Sequence, residues 1–223
     1  FKGLMLYLIT LVFVKSLHEL GHAFVSKYFG CRVSSIGIAF LVFFPFLYTD
    51  TSDAWRLRDH KDRLLINFAG ILTELHLALI STFLWAILPD GGLKSVAFFI
   101  ATTSWISSLA INVSPFMRFD GYYVFSDWLK AENLQPRSFA LARWQLREIL
   151  FGFNHPPPED LNPTRRWTFI SYAWLTWVYR FFIFLGIALL VYHLAFKTLG
   201  IILFVIEIYW FILRPIITET KNW

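Results

Sequence analysis

A single cysteine, Cys31, in 223 residues excludes a disulfide-stapled scaffold. Charge is scarce as well: charged side chains make up 16% of the chain, against about 25% in ordinary globular proteins. The shortage is greater on the acidic side, with 15 Asp and Glu against 20 Lys and Arg. The resulting net charge of +5 does not indicate nucleic acid, because the basic residues lie between long apolar runs instead of forming one patch. That spacing fits loops facing anionic lipid. What the chain has in abundance is apolar surface: 57% hydrophobic residues, 20% aromatics and a mean hydropathy of +0.56. This rules out a disordered tail and describes a membrane protein. The chain opens on Phe1 instead of Met, so additional domains of the same full-length protein are expected.

A spanning helix needs roughly 20 predominantly apolar residues. Runs at 3–29, 64–88, 95–114, 168–195 and 199–214 qualify. Between the first two, Arg32 to Ile38 partly alternates and Val42-Phe43-Phe44-Pro45-Phe46 is apolar, too broken for a straight span. The predicted fold class is therefore an all-α polytopic membrane protein, with about five transmembrane helices and a small β-strand or re-entrant segment after the first. With the first span running inward, 14 of the 20 basic residues fall on the cytoplasmic side, among them Arg56, Arg58, Arg118, Arg143 and Arg165. Excess Lys and Arg mark that side, which places the N-terminus of this segment outside. In the long inner segment, Phe139, Ala142, Leu146, Ile149, Leu150 and Phe153 recur at helical spacing. They predict a helix lying on the membrane surface or packed on the spans. Asn154 to Asp160, with three consecutive prolines, reads as an extended linker.

The informative residues are those that do not belong in a span. His18-Glu19-Leu20-Gly21-His22 puts three ionisable groups inside an apolar helix, where each is costly. Two His at i and i+4 differ by about 40° around a helix and roughly 6 Å along it, so both imidazoles can reach one ion. Neutral imidazole suits zinc, and a catalytic zinc site keeps three protein ligands. Glu19 points about 100° from His18, a position for a base beside the metal instead of a ligand. A third ligand must come from elsewhere: Glu74, His76, Asp120, His193 and Glu207 are the candidates. Asp120 leads them. It follows Pro115, which breaks the preceding helix, and precedes Gly121. Irregular backbone at membrane depth is tolerated where it lines a wet cavity.

HExxH in a first span, followed 98 residues after His22 by Asp120 in the arrangement Asn-x-x-Pro-x-x-x-x-Asp-Gly, resembles the site-2 protease family of intramembrane zinc metalloproteases. The resemblance covers approximately residues 10–128. Phe119-Asp120-Gly121-Tyr122-Tyr123 and Ser126-Asp127-Trp128-Leu129 are most similar to the bacterial peptide zinc metalloproteases. The family implies Zn2+ held by His18, His22 and Asp120, with Glu19 as catalytic base and Asn112 near the substrate or the developing oxyanion. It also implies an active site near the cytoplasmic side of a bacterial inner (plasma) membrane. The chain then divides into a metalloprotease core at 1–128, a cytoplasmic amphipathic helix and Pro-rich linker at 129–166, and a two-span hairpin at 167–223. Three features depart from the family pattern. Gly70-Ile71-Leu72-Thr73-Glu74 stands where many relatives have Gly-Pro-x-x-Asn, Tyr122 stands where many have Gly, and no segment is long enough for a substrate-selecting domain.

The expected function is zinc-dependent hydrolysis of a peptide bond in a membrane-embedded or membrane-associated protein or peptide, with the lipid bilayer as surroundings and no nucleic acid. A substrate helix hides its carbonyls, so the substrate must be extended, and the stretch from Arg32 to Phe44 can pair with it by adding a strand. The alternatives are a non-proteolytic zinc-binding component of a transport or secretion assembly, and a transporter of zinc or protons. Lys15 lines a water path, pairs with Glu74 or turns its long stem toward other polar neighbours, Arg180 and Glu207 can pair in a structural role, and Cys31 is expected to be a reduced bystander.

Overall fold

A computed structural model describes residues 2–41, 44–194 and 196–221. Helix α1 (Lys2–Tyr28) leads into an antiparallel hairpin of β1 (Ile36–Leu41) and β2 (Phe44–Thr49), then a short 3-10 turn at Ser52–Arg56. Helices α2 (His60–Ile87), α3 (Gly92–Trp105) and α4 (Asp120–Trp128) follow. The chain clusters into two compact units, Phe1–Glu132 and Asn133–Trp223. The second holds α5 (Leu134–Phe151), α6 (Pro163–Leu194), α7 (Lys197–Ile208) and α8 (Arg214–Lys221).

Among the described residues, five helical stretches are long and apolar enough to cross a membrane: Met5–Tyr28, His60–Ile87, Gly92–Asn112, Pro163–Leu194 and Lys197–Thr218. They coincide with the five predicted runs to within a few residues. Most of their apolar side chains, such as Ile9, Phe13, Ile80 and Phe83, are exposed, which water would penalise and lipid tails accept. The protein is an integral membrane protein.

Local chemistry sets the element ends. After α1, Gly30 takes a left-handed φ of 74°, and Gly30 N–H and Cys31 N–H donate to the carbonyls of Lys27 and Ser26. This closes the helix as a Schellman turn. Asp59 caps α2 by accepting from Lys61 N–H at 2.9 Å. Helix α3 widens into a π-helical segment at Ile106–Asn112, where Val113 N–H reaches back five residues to Ser108 O at 2.9 Å. Such bulges collect at functional sites.

The predicted segment after the first span is a two-stranded hairpin, paired from Ile36 with Thr49 to Leu41 with Phe44. Regular pairing begins at Ile36 and not at Arg32, while Val42 and Phe43 lie outside the described residues. Cys31 is buried near Ala54 and Ile66, and burial pushes its thiol pKa up, which keeps it protonated.

Within the second unit, α5 packs on α6, burying Leu134, Ser138, Leu141 and Ala142. The packed face is therefore offset from the predicted one. Of the predicted apolar set only Ala142 is fully buried; Leu146, Ile149, Leu150 and Phe153 are exposed. The following Pro-rich segment forms neither helix nor strand but is pinned. Glu148 accepts from the Asn154 and His155 amides at 2.8 and 3.1 Å, and Arg137 Nε donates to Glu159 at 2.9 Å.

Candidate metal centre

The site depends on two helices meeting without side chains between them. On α1, a Cβ at Gly21 would press on Thr73 Oγ1 and come within 3.1 Å of the Ala69 carbonyl oxygen, so only hydrogen fits against α2. On α2, a Cβ at Gly70 would stand 2.5 Å from both Cε1 and Nε2 of His18 and closer still to His22 Nε2. Two glycines thus make the recess into which both imidazoles fold, and both rings are buried.

Asp120 arrives from a distant bend. Beyond the π-helical end of α3, Phe119 is extended and Asp120 opens α4. Here too a glycine is obligatory, because a Cβ at Gly121 would lie 2.5 Å from the Val113 carbonyl carbon and 2.6 Å from Asn112 O. The bend sets Asp120 Oδ2 at 2.9 Å from His18 Nε2 and 3.4 Å from His22 Nε2, with the two nitrogens 3.2 Å apart.

The far ring nitrogens fix the tautomers. His22 Nδ1 sits 2.8 Å from Ile66 O, a carbonyl that can only accept, so the proton is on Nδ1 and Nε2 keeps its lone pair. His18 Nδ1 sits 3.0 Å from Glu74 Oε1 without hydrogen-bond alignment, and a neutral ring with its proton on this side presents the Nε2 lone pair to the cluster. Both Nε2 lone pairs and a buried Asp120 oxygen that lacks a hydrogen-bond partner therefore converge. A proton can bridge one edge of this triangle; a divalent cation satisfies all three corners. Zinc bonds of about 2.0 to 2.1 Å in a tetrahedron keep ligand atoms roughly 3.3 Å apart, and the observed edges of 2.9, 3.2 and 3.4 Å match one face of it. The residues fit the ion. Among the described residues, His18, His22 and Asp120 are the one group of three or more His, Cys, Asp and Glu compact enough to hold a metal.

The other candidate ligands lie elsewhere. Glu74 occupies the opposite nitrogen of His18, and His76 is exposed with Nδ1 on its own Leu72 carbonyl. His193 and Glu207 belong to the second unit. Both Glu207 carboxylate oxygens are buried without a hydrogen-bond partner, so Arg180 makes no hydrogen bond to them. Lys15 does pair with Glu74, at 2.8 Å. Asn112 is buried, and its amide nitrogen donates to Glu74 Oε2 at 2.9 Å.

A cleft of about 350 Å3 adjoins the cluster, lined by Glu19, His22 and Asp120 and also by Thr49, Asn67 and Asp127. The strand that reaches it is β2, through Leu47, Tyr48 and Thr49, and Thr49 Oγ1 donates to the Glu19 carbonyl at 3.0 Å. The predicted stretch from Arg32 to Phe44 mostly precedes this strand. Sequence reasoning also missed the polar wall: Asp127 accepts from Asn67 Nδ2 at 2.7 Å and pairs with Arg63 at 3.3 Å, while Arg63 stacks 5.0 Å from the Trp55 ring. Burial raises the Asp127 carboxyl above its ordinary value despite Arg63. The only sequence signal for it was its place in Ser126-Asp127-Trp128-Leu129.

With this geometry in place, the comparison with known families agrees with it: the family model described as Peptidase family M50, the site-2 protease family, matches residues 6–113. The match spans 108 of the 223 residues, and over them the chain is similar to the membrane metallopeptidases of family M50. The M50 match takes in His18, Glu19, His22, Gly70 and Asn112 and stops short of Asp120, whose place at the cluster rests on the geometry above. No curated protein and no solved structure matches the chain.

Proposed function

We propose that this chain is a zinc-dependent endopeptidase that hydrolyses a peptide bond in a membrane-embedded or membrane-associated substrate. The observation that carries the reading is the convergence of two imidazole lone pairs and a carboxylate oxygen beside a cleft that also holds Glu19. His18, His22 and Asp120 hold Zn2+, which when bound supplies Lewis acidity toward water and the scissile carbonyl. Glu19 takes the proton of the attacking water on its carboxylate and returns it to the leaving amide nitrogen. The Ile66 carbonyl and Glu74 keep the two rings turned with Nε2 inward. An extended substrate lies along the cleft side of β2, whose other edge is already taken by β1. Asn112, tied to Glu74, supports the metal cluster from behind more directly than it meets a substrate oxyanion. The distribution of basic residues supports a cytoplasmic-side active site and an outer N-terminus.

The test is Glu19→Gln in the purified protein with a single-span peptide as substrate. Cleavage falls by at least about a hundredfold while zinc content stays at the parent level. Undiminished cleavage refutes Glu19 as the base. Parental cleavage that is absent throughout, with zinc bound, favours the non-proteolytic zinc-binding component.

A further inference from the structure

Glu74 is fully buried in a spanning helix, where an ionised carboxylate is among the costliest of groups. Three hydrogen-bond donors and the nearby His18 ring compensate it. Lys15 Nζ at 2.8 Å, His18 Nδ1 at 3.0 Å and Ser107 Oγ at 3.1 Å surround Oε1, and Asn112 Nδ2 meets Oε2 at 2.9 Å. They come from α1 and from the π-helical end of α3, so the carboxylate ties three spans at one point. The two rings of the metal cluster are backed unequally, His22 by a neutral carbonyl and His18 by this anion.

We propose, resting on the zinc reading above, that Glu74 is a positioning residue that fixes the orientation and donor strength of His18, with Lys15 as the countercharge that lets it remain an anion inside the bilayer. Two features favour this over a merely structural weld. The Oε1 atom that carries the Lys15 contact is the same atom that faces His18 Nδ1, so loss of Lys15 is felt at the ligand. A carboxylate behind a ligating imidazole sets its tautomer and raises its basicity. Lys15 sits three residues before His18 on the same helix, so its ammonium reaches Glu74 from the ring's own side.

The experiment measures zinc affinity by chelator competition, and the visible spectrum of the Co2+-loaded protein, in the full purified chain. Glu74→Gln weakens zinc binding by about 10- to 100-fold and shifts the cobalt bands. Glu74→Asp restores part of the affinity, and Lys15→Met weakens it in the same direction. A purely structural role changes thermal stability of metal-free and loaded forms equally and leaves affinity and spectrum alone. Zinc affinity of Glu74→Gln within twofold of the parent, with an unshifted spectrum, overturns the proposal. Should that variant fail to fold, the double variant Lys15→Met, Glu74→Met removes both charges together. Zinc binding at least about tenfold weaker in that variant supports the proposal, and parental affinity overturns it. A His18→Ala control separates the two failures. Parental affinity in His18→Ala sinks the zinc reading itself, whereas affinity lost there but kept in Glu74→Gln sinks only the role given to Glu74.

Discussion

Replacing Gly70 by Ala tests the centre with one methyl group. The new Cβ would lie 2.5 Å from two atoms of the His18 ring and closer to His22 Nε2, against roughly 3.5 Å for an ordinary carbon contact. At least one ring must retreat by about 1 Å, while zinc coordination tolerates roughly 0.2 Å. The ring tips can move, but each is held by its far nitrogen, on Ile66 O or Glu74. Zinc affinity should therefore fall by more than about a hundredfold, or some 2.8 kcal/mol. Stability should behave differently. Ala is favoured over Gly inside a helix by about 1 kcal/mol, and displacing a ring from its rotamer costs about 0.5 to 1.5 kcal/mol. The metal-free variant should thus melt near the parent temperature. Chelator competition and thermal denaturation of the metal-free form read the two effects separately. A Gly70→Ala protein that binds zinc within threefold of the parent would refute the geometry, because the rings could not then be where they are described.

Gly121→Ala is the contrasting case, since its Cβ meets backbone of Val113 and Asn112 that has no rotamer to escape into. It should cost about 1 to 3 kcal/mol and displace Asp120, lowering both melting temperature and zinc affinity; unchanged melting would count against the bend. Asp120→Ala should release zinc while leaving the helices intact by circular dichroism. Undiminished zinc in that variant would mean the third ligand lies elsewhere. For orientation, a membrane-impermeant maleimide applied from outside should label Asp90→Cys and not Asp160→Cys in a Cys31→Ser background, and the reverse pattern would invert the topology.

The sequence by itself determined the spans and half of the centre. Lipid leaves no water for backbone groups, so an apolar run of about 20 residues has one stable outcome, and the helices from Met5 to Thr218 follow the hydropathy closely. Helical phase fixes His18 and His22 on one face as firmly, because that geometry is settled within a single turn. Tertiary structure decided the rest. Asp120 was one of five possible third ligands, and only the bend at Gly121 over the end of α3 brought it to the imidazoles. Glu74 read equally as ligand or ion-pair partner until α2 packed on α1 and set it behind His18. Asn112 was turned onto that carboxylate by the widened π-helical end of α3, which the local sequence does not announce. The choice of β2 over the stretch before it, and the meeting of Asp127 with Asn67 and Arg63, likewise depended on packing. Hydropathy and helical phase are properties of neighbours along the chain; which carboxylate meets which ring is set by contacts between residues 56 or more apart, such as His18 with Glu74, and those exist only once the helices have docked.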